Sequence, residues 1–325
     1  MIGLAVVSTV LWAVATLAAA GLLFLAAPAA IRRLDFVSPR RRIRPLLALL
    51  VTPASVGATV VILSFGPCLD TALHGLPDAC DQHGGPHLFL CLHHPTHASA
   101  LAWGLVAAIL ARATWTMSGL GRGLWLTRRL ATRLGNIATA GDRFMIVPGR
   151  AAFTAGWPES HIFIGDELLR TLDRTDLTVV LTHEEAHRAR HHVVVKLVAK
   201  ALAALHAPST GRRLLRALDT TIEQACDVEA ARAVGDALIV ADTMVALSRG
   251  HVDAPAGAFA GFVDDADALS RRVTALCDPP WQRERRPRAW WRWVPMVAAA
   301  VTGFAWAFDR HVHDLTEAFL QLLGS

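Results

Sequence analysis

Hydrophobic positions fall along this chain in two kinds of pattern. Near the start they form unbroken runs. Ile2 to Ala30 is almost wholly apolar, Leu46 to Phe65 follows, and a third run extends from Ala98 to about Leu126. Each is long enough to cross about 30 Å of hydrocarbon as an α-helix. Near the end, Val294 to Phe308 makes a shorter fourth run, long enough to span when Trp293 and Arg310 anchor its ends. Between the third and fourth runs the pattern turns periodic. Phe144 to Val147, Ala152 to Gly156 and His161 to Ile164 read as strands, separated by turns at Pro148-Gly149 and Trp157-Pro158. Gly165-Asp166 opens a helix through Leu172, Asp173 to Thr175 breaks it, and a helix from Asp176 follows, its apolar run carried on by Val193 to Val198. His206 to Gly211 reads as a loop, and a further helix runs from about Arg212 to Val234, ended by Gly235. The expected fold is an α-helical membrane protein of about four transmembrane helices with an inserted α+β domain. Residues 1–126 hold three spans, 127–288 the polar domain, and 289–325 the fourth span with a short external tail.

Composition agrees. Of 325 residues, 53% are hydrophobic and only 18% are charged, against about 25% charged in a soluble domain. Mean hydropathy is +0.38. The formal net charge of +5 gathers beside the apolar runs. Arg32, Arg33, Arg40, Arg41, Arg42 and Arg44 follow the first, and Arg122, Arg128, Arg129 and Arg133 follow the third. Arginine excess in short loops marks the cytoplasmic side. There is no basic-aromatic surface pattern, so no direct nucleic-acid binding is expected. Residues 66–100 contain no Lys or Arg, as suits an external loop. The Ala- and Arg-rich composition points to a bacterial cell membrane, with the N-terminus outside, the polar domain in the cytoplasm and the lipid bilayer as partner. The external loop carries Cys68, Cys80 and Cys91 among six histidines. A disulfide-braced loop and a metal- or redox-sensing loop are both open readings.

The chemistry sits in His183-Glu184-Glu185-Ala186-His187. Two histidines four apart share one helical face, so both imidazoles reach one Zn²⁺, with Glu184 placed as general base toward an attacking water. One zinc per chain is expected. A hydrolytic zinc site takes three protein ligands and keeps one position open. The next helix offers Glu223-Gln224-Ala225-Cys226-Asp227. Glu223 is assigned as the third ligand and Asp227 as the partner of a ligating histidine's remote nitrogen. Asp219, Glu229, His191, His192 and Cys226 compete for such roles. His191, on one straight helix with His183 and His187, would stretch the set over about 12 Å at 1.5 Å per residue, beyond the reach of one ion.

These two motifs, His183-Glu184-Glu185-Ala186-His187 and Glu223 to Asp227 with Cys226 before the Asp, resemble the gluzincin pattern as carried by BlaR/MecR-type membrane metallopeptidases, metallopeptidase family 56. The strand Ala152 to Gly156, the pair Arg271-Arg272 and the order of spans resemble that family too. The resemblance implies an inserted gluzincin-like zinc metallopeptidase domain that hydrolyses a protein or peptide, with a BlaI-type transcriptional repressor as the implied target. An extended substrate would lie along Phe153, Thr154, Ala155 and Gly156 as along an edge strand. The large external penicillin-sensing domain of the best-known members has no counterpart in this sequence. Where members often carry an Asp shortly after the second zinc histidine, this chain reads Arg190-His191-His192. An HtpX-like quality-control protease and a non-catalytic zinc-binding sensor are the rival readings.

Overall fold

The structure, a computed structural model, describes residues 2–74, 100–141, 143–249 and 266–280. Most of the Cys/His-rich loop and the fourth apolar run lie outside the described residues.

Three long helices come first: α1 (Ile2–Leu34), α2 (Pro39–His74) and α3 (Ala100–Gly135). Within them Ala5–Leu34, Pro39–Ser64 and Ala100–Gly135 are long and apolar enough to cross a membrane. Their outer faces are bare: Leu101 is 70% exposed and Trp115 80%, as lipid-facing side chains are when the protein stands alone. The second helix begins earlier than its apolar run. The Ser38 carbonyl accepts Arg41 N–H at 2.9 Å and Arg42 N–H at 3.0 Å, and Pro39 stands in the first turn, where its missing donor costs nothing. Arginine is a good helix former, so Arg40 to Arg44 wind into α2 instead of forming a loop. Arg42 is buried and ties down the turn before it, donating to Asp35 O at 2.8 Å and Val37 O at 3.1 Å.

The polar part opens with a four-stranded mixed sheet of order β1-β2-β4-β3. Its strands are β1 (Thr139–Ala140), β2 (Met145–Val147), β3 (Ala152–Ala155) and β4 (His161–Gly165). β2 and β4 are parallel, and β3 pairs antiparallel with β4 in the register Phe153 to Phe163. β3 is therefore an edge strand. Alternation sorts its side chains by face. Phe153 and Ala155 join Val147 and Phe163 against Ala131 of α3. Ala152, Ile162 and Ile164 face Val179 and Val180 on the other side.

Helices follow: α4 (Asp166–Thr171), α5 (Arg174–Ala189), α6 (His192–Ala203), α7 (Pro208–Val234), α8 (Ala237–Arg249) and α9 (Ala266–Cys277). Asp173 caps α5 by accepting Asp176 N–H at 2.7 Å, so Arg174 and Thr175 are already helical. The expected continuation of this helix into Val193 to Val198 does not occur. Arg190 ends it, and His191 adopts φ 51°, ψ 40°, a left-handed conformation that stops one helix and re-aims the next. α7 starts at Pro208, four residues ahead of the expected Arg212, because proline suits a first helical turn. It ends as expected, on Gly235 at φ 79°, which glycine takes without steric cost.

One hydrophobic cluster joins spans to polar part. Leu34, Val37, Leu46 and Leu50 of the α1–α2 region pack with Ala199, Ala203, Leu214, Leu218 and Ile222 of α6 and α7. His206, between those helices, meets the Leu50 carbonyl through Nε2 at 3.2 Å. Arg112 of α3 donates to Ala204 O at 2.6 Å.

Candidate metal centre

α5 and α7 cross so that three donor atoms meet. His183 Nε2 and His187 Nε2 are 3.2 Å apart. Glu223 Oε2 lies 3.3 Å from the first and 3.5 Å from the second. Adjacent ligands on a tetrahedral zinc with bonds of about 2.0–2.1 Å are about 3.3–3.4 Å apart. The triangle thus has the edges such an ion needs, and all three residues are buried. The residues present fit zinc.

Cys226 offers a rival third donor, since its sulfur falls within 4.8 Å of ligand atoms of His183 and His187. Glu223 fits better. Its oxygen faces both Nε2 atoms, whereas Cys226 Sγ lies 3.7 Å from His192 Nδ1, behind the His187 ring. In the metal-free protein burial, then the charges of Glu223, Asp227 and Glu184, push the Cys226 thiol well up.

The other side chains hold these three. Asp227 Oδ1 lies 3.0 Å from His183 Nδ1, so the remote nitrogen meets a carboxylate. Arg272 of α9 is fully buried and grips Asp227 with two bonds, Nε to Oδ2 at 2.9 Å and Nη2 to Oδ1 at 2.7 Å. Burial opposes the charge of Asp227, but Arg272 holds its carboxyl below the usual range. Lys196 of α6 donates to Glu223 Oε1 at 2.8 Å. Burial likewise opposes the charge of Glu223, but Lys196 and then His187 and His183 hold it well below normal. Behind His187 stands His192, Nδ1 to Nδ1 at 3.1 Å. Burial, then the nearness of His187 and Lys196, pulls the His192 pKa down to about 3, so it is neutral. His183 goes the other way. Burial disfavours its cation, but hydrogen bonds to Asp227 and Glu223 raise it to about 9. Without a metal, the carboxylates draw a proton where a dication would sit.

Glu184 is fully buried on α5. Thr154 reaches it from β3, donating to Glu184 Oε2 at 2.7 Å with Glu184 O at 3.1 Å. Glu184 Oε1 has no hydrogen-bond partner among the described residues, a buried acceptor of the kind a reacting water would satisfy.

The structure thus brings His183, Glu184, His187, Glu223 and Asp227 together, and adds Thr154, expected only along a substrate strand, as the partner of Glu184. Phe153 and Ala155 point away from the centre into the α3 face, and Gly156 N–H is taken by Thr127 Oγ1 at 3.0 Å. Lys196, His192 and Arg272 escaped the expectation for their roles. The first two depend on the turn at His191, and the last on packing between residues 45 apart. His191 itself caps α6 and has no place among the donors. Glu229 is likewise engaged elsewhere, with Arg190 and with Arg40 of α2.

No curated protein matches the chain. Residues 128–250, which carry the whole donor triangle, are similar to Peptidase family M48, a family of metallopeptidases and hence of hydrolases; the finer likeness to the BlaR/MecR type is not part of that match.

Proposed function

We propose that this chain is a membrane-embedded zinc-dependent metalloendopeptidase. The observation that carries the reading is the triangle of His183, His187 and Glu223, with Glu184 buried on the same helix as the two histidines and one of its carboxylate oxygens without a hydrogen-bond partner among the described residues. A zinc ion bound there would supply Lewis acidity to a scissile carbonyl and make water acidic enough to attack near neutral pH. Glu184 receives the water's proton and returns it to the departing amine. Thr154 holds one oxygen of Glu184, leaving the other to face the reaction. Asp227 fixes the His183 ring, and Lys196 turns one oxygen of Glu223 away from the centre. β3, the sheet edge nearest Glu184, suits an extended peptide, whose backbone would pair there.

The regulatory version has a signal enter from outside and a cytoplasmic protein such as a BlaI-type repressor cleaved inside. The two motifs and the arginine distribution support it. A second reading, quality control of membrane proteins, is favoured by one contact region. α7, which bears Glu223, is tied to the arginine-rich start of α2 by Arg42 to Gln224 at 3.4 Å and Arg40 to Glu229 at 3.3 Å. These contacts support a centre close to the membrane interface. The buried base Glu184 argues against a sensor that only binds zinc.

Glu184→Gln should keep zinc in full and lose cleavage by at least about 10²-fold. Cleavage that survives with zinc retained would refute the mechanism. Comparing cellular peptide fragments from cells carrying each form separates the readings: one repressor fragment favours regulation, many membrane-protein fragments favour quality control.

A further inference from the structure

The two ligands not held by Asp227 are held by one short helix. α6 presents His192 to the back of His187 and Lys196 to Glu223. The residues are four apart and so share a face. On an unbroken α5 this would fail, because residue 192 would lie about 140° around the axis from residue 187. The left-handed turn at His191 brings it back.

The hydrogen bonding is forced. A neutral imidazole that gives its Nε2 lone pair to a metal carries its proton on Nδ1. His187 Nδ1 must then donate, and the atom 3.1 Å away, His192 Nδ1, must accept. His192 therefore carries its own proton on Nε2. Glu223 faces a comparable choice. With Oε1 committed to Lys196 at 2.8 Å, only Oε2 is turned to the histidines.

We propose that α6 is the mount of the metal centre: His192 fixes the tautomer and ring angle of His187, and Lys196 holds Glu223 to a single oxygen, making both positioning residues. The proposal rests on His183, His187 and Glu223 being the ligands. α6 is in turn seated against the third span. A side chain on Gly123 of α3 would stand 2.5 Å from Leu197 Cδ2, so the span and the mount touch with no room between them.

The test uses the full chain in detergent, freed of metal and titrated with Zn²⁺ against a chromophoric chelator. His192→Phe fills the space of the ring without an acceptor. His192→Asn places Oδ1 where Nδ1 stood. We expect Phe to lower zinc affinity about 10–100-fold and Asn to stay within about threefold of wild type. Lys196→Met should cost about tenfold. A Phe variant that binds like wild type, an Asn variant no better than Phe, or a Met variant unchanged would each overturn the proposal. Thermal melts of the metal-free proteins run alongside, since a packing role alone predicts altered melting with no Asn–Phe difference in zinc. The ligand set is checked separately. If wild type takes up no Zn²⁺, or His183→Ala takes up as much, both the ligand assignment and the mount fall. If that control holds and only the α6 variants are silent, the mount alone falls.

Discussion

At the scale of residues, the centre is a set of paired commitments. Thr154 shows what one hydroxyl contributes. Its bond to Glu184 Oε2 at 2.7 Å is one to a charged group, of the kind that contributes about 1.5–3 kcal/mol. Thr154→Val keeps the shape and removes the donor. We expect cleavage of a peptide substrate to fall roughly 10–100-fold while zinc content stays at one per chain, read by metal analysis. Proton competition gives a second expectation. In the metal-free protein His183 is raised to about 9, above its ordinary 6.5. A raised pKa stabilises the folded metal-free chain fully below about 6.5, and that contribution is lost as pH rises through about 9. Zinc must displace the same proton. Apparent zinc affinity should therefore climb up to about tenfold per pH unit between about 6.5 and 9 and then level off. A flat titration would show that His183 holds no such proton. At this scale the sequence was readable where spacing alone decides. His183 and His187, or Glu223 and Asp227, share a face at four residues' distance in any α-helix. Lys196 and Arg272 were not readable in this way, because their partners are chosen by the crossing of helices.

At the scale of elements, the informative feature is the break between α5 and α6. Apolar periodicity from Asp176 through Val198 reads as one helix, since nothing in the residue types forbids it. Histidine does enter the left-handed region more readily than branched residues, but the sequence around it carries no glycine or proline to announce a turn. The conformation makes a sharp expectation. His191→Gly relieves a positive φ and should leave zinc binding unchanged, with stability unchanged or raised by up to about 1 kcal/mol. His191→Ile, branched at Cβ, should lower the melting temperature and weaken zinc binding together, because re-aiming α6 moves His192 and Lys196. Equal zinc affinity in the two variants would mean the turn does not matter to the centre. The strands were more legible. The turns at Pro148-Gly149 and Trp157-Pro158 mark off the expected strands Ala152 to Gly156 and His161 to Ile164, and each lies within one residue of the observed Ala152–Ala155 and His161–Gly165, although the two-residue β1 was too short to carry a pattern.

At the scale of the whole molecule, apolar runs announced the spans, and three of them appear among the described residues. What no run could announce is how closely they are built into the polar part. The cluster joins Leu46 and Leu50 to Leu214, Leu218 and Ile222, and His206 spends its Nε2 on a backbone oxygen inside α2. A fragment restricted to residues 128–280 would expose that apolar face to water. It should aggregate when made alone and stay soluble only with α1 to α3 supplied.

The contact between His206 and Leu50 also sets an order of events in biosynthesis. The two residues are 156 positions apart. At about 5–20 residues per second, His206 leaves the ribosome roughly 8–30 s after Leu50. In that interval α2 either enters the bilayer or fails to. A chain whose α2 is not in place lacks the surface of Leu46 and Leu50 against which α6 and α7 pack, and its donor triangle is expected not to close. Seating of α2 then comes before completion of the donor triangle, so a chain in which α2 is not in place is expected to lack the finished metal centre.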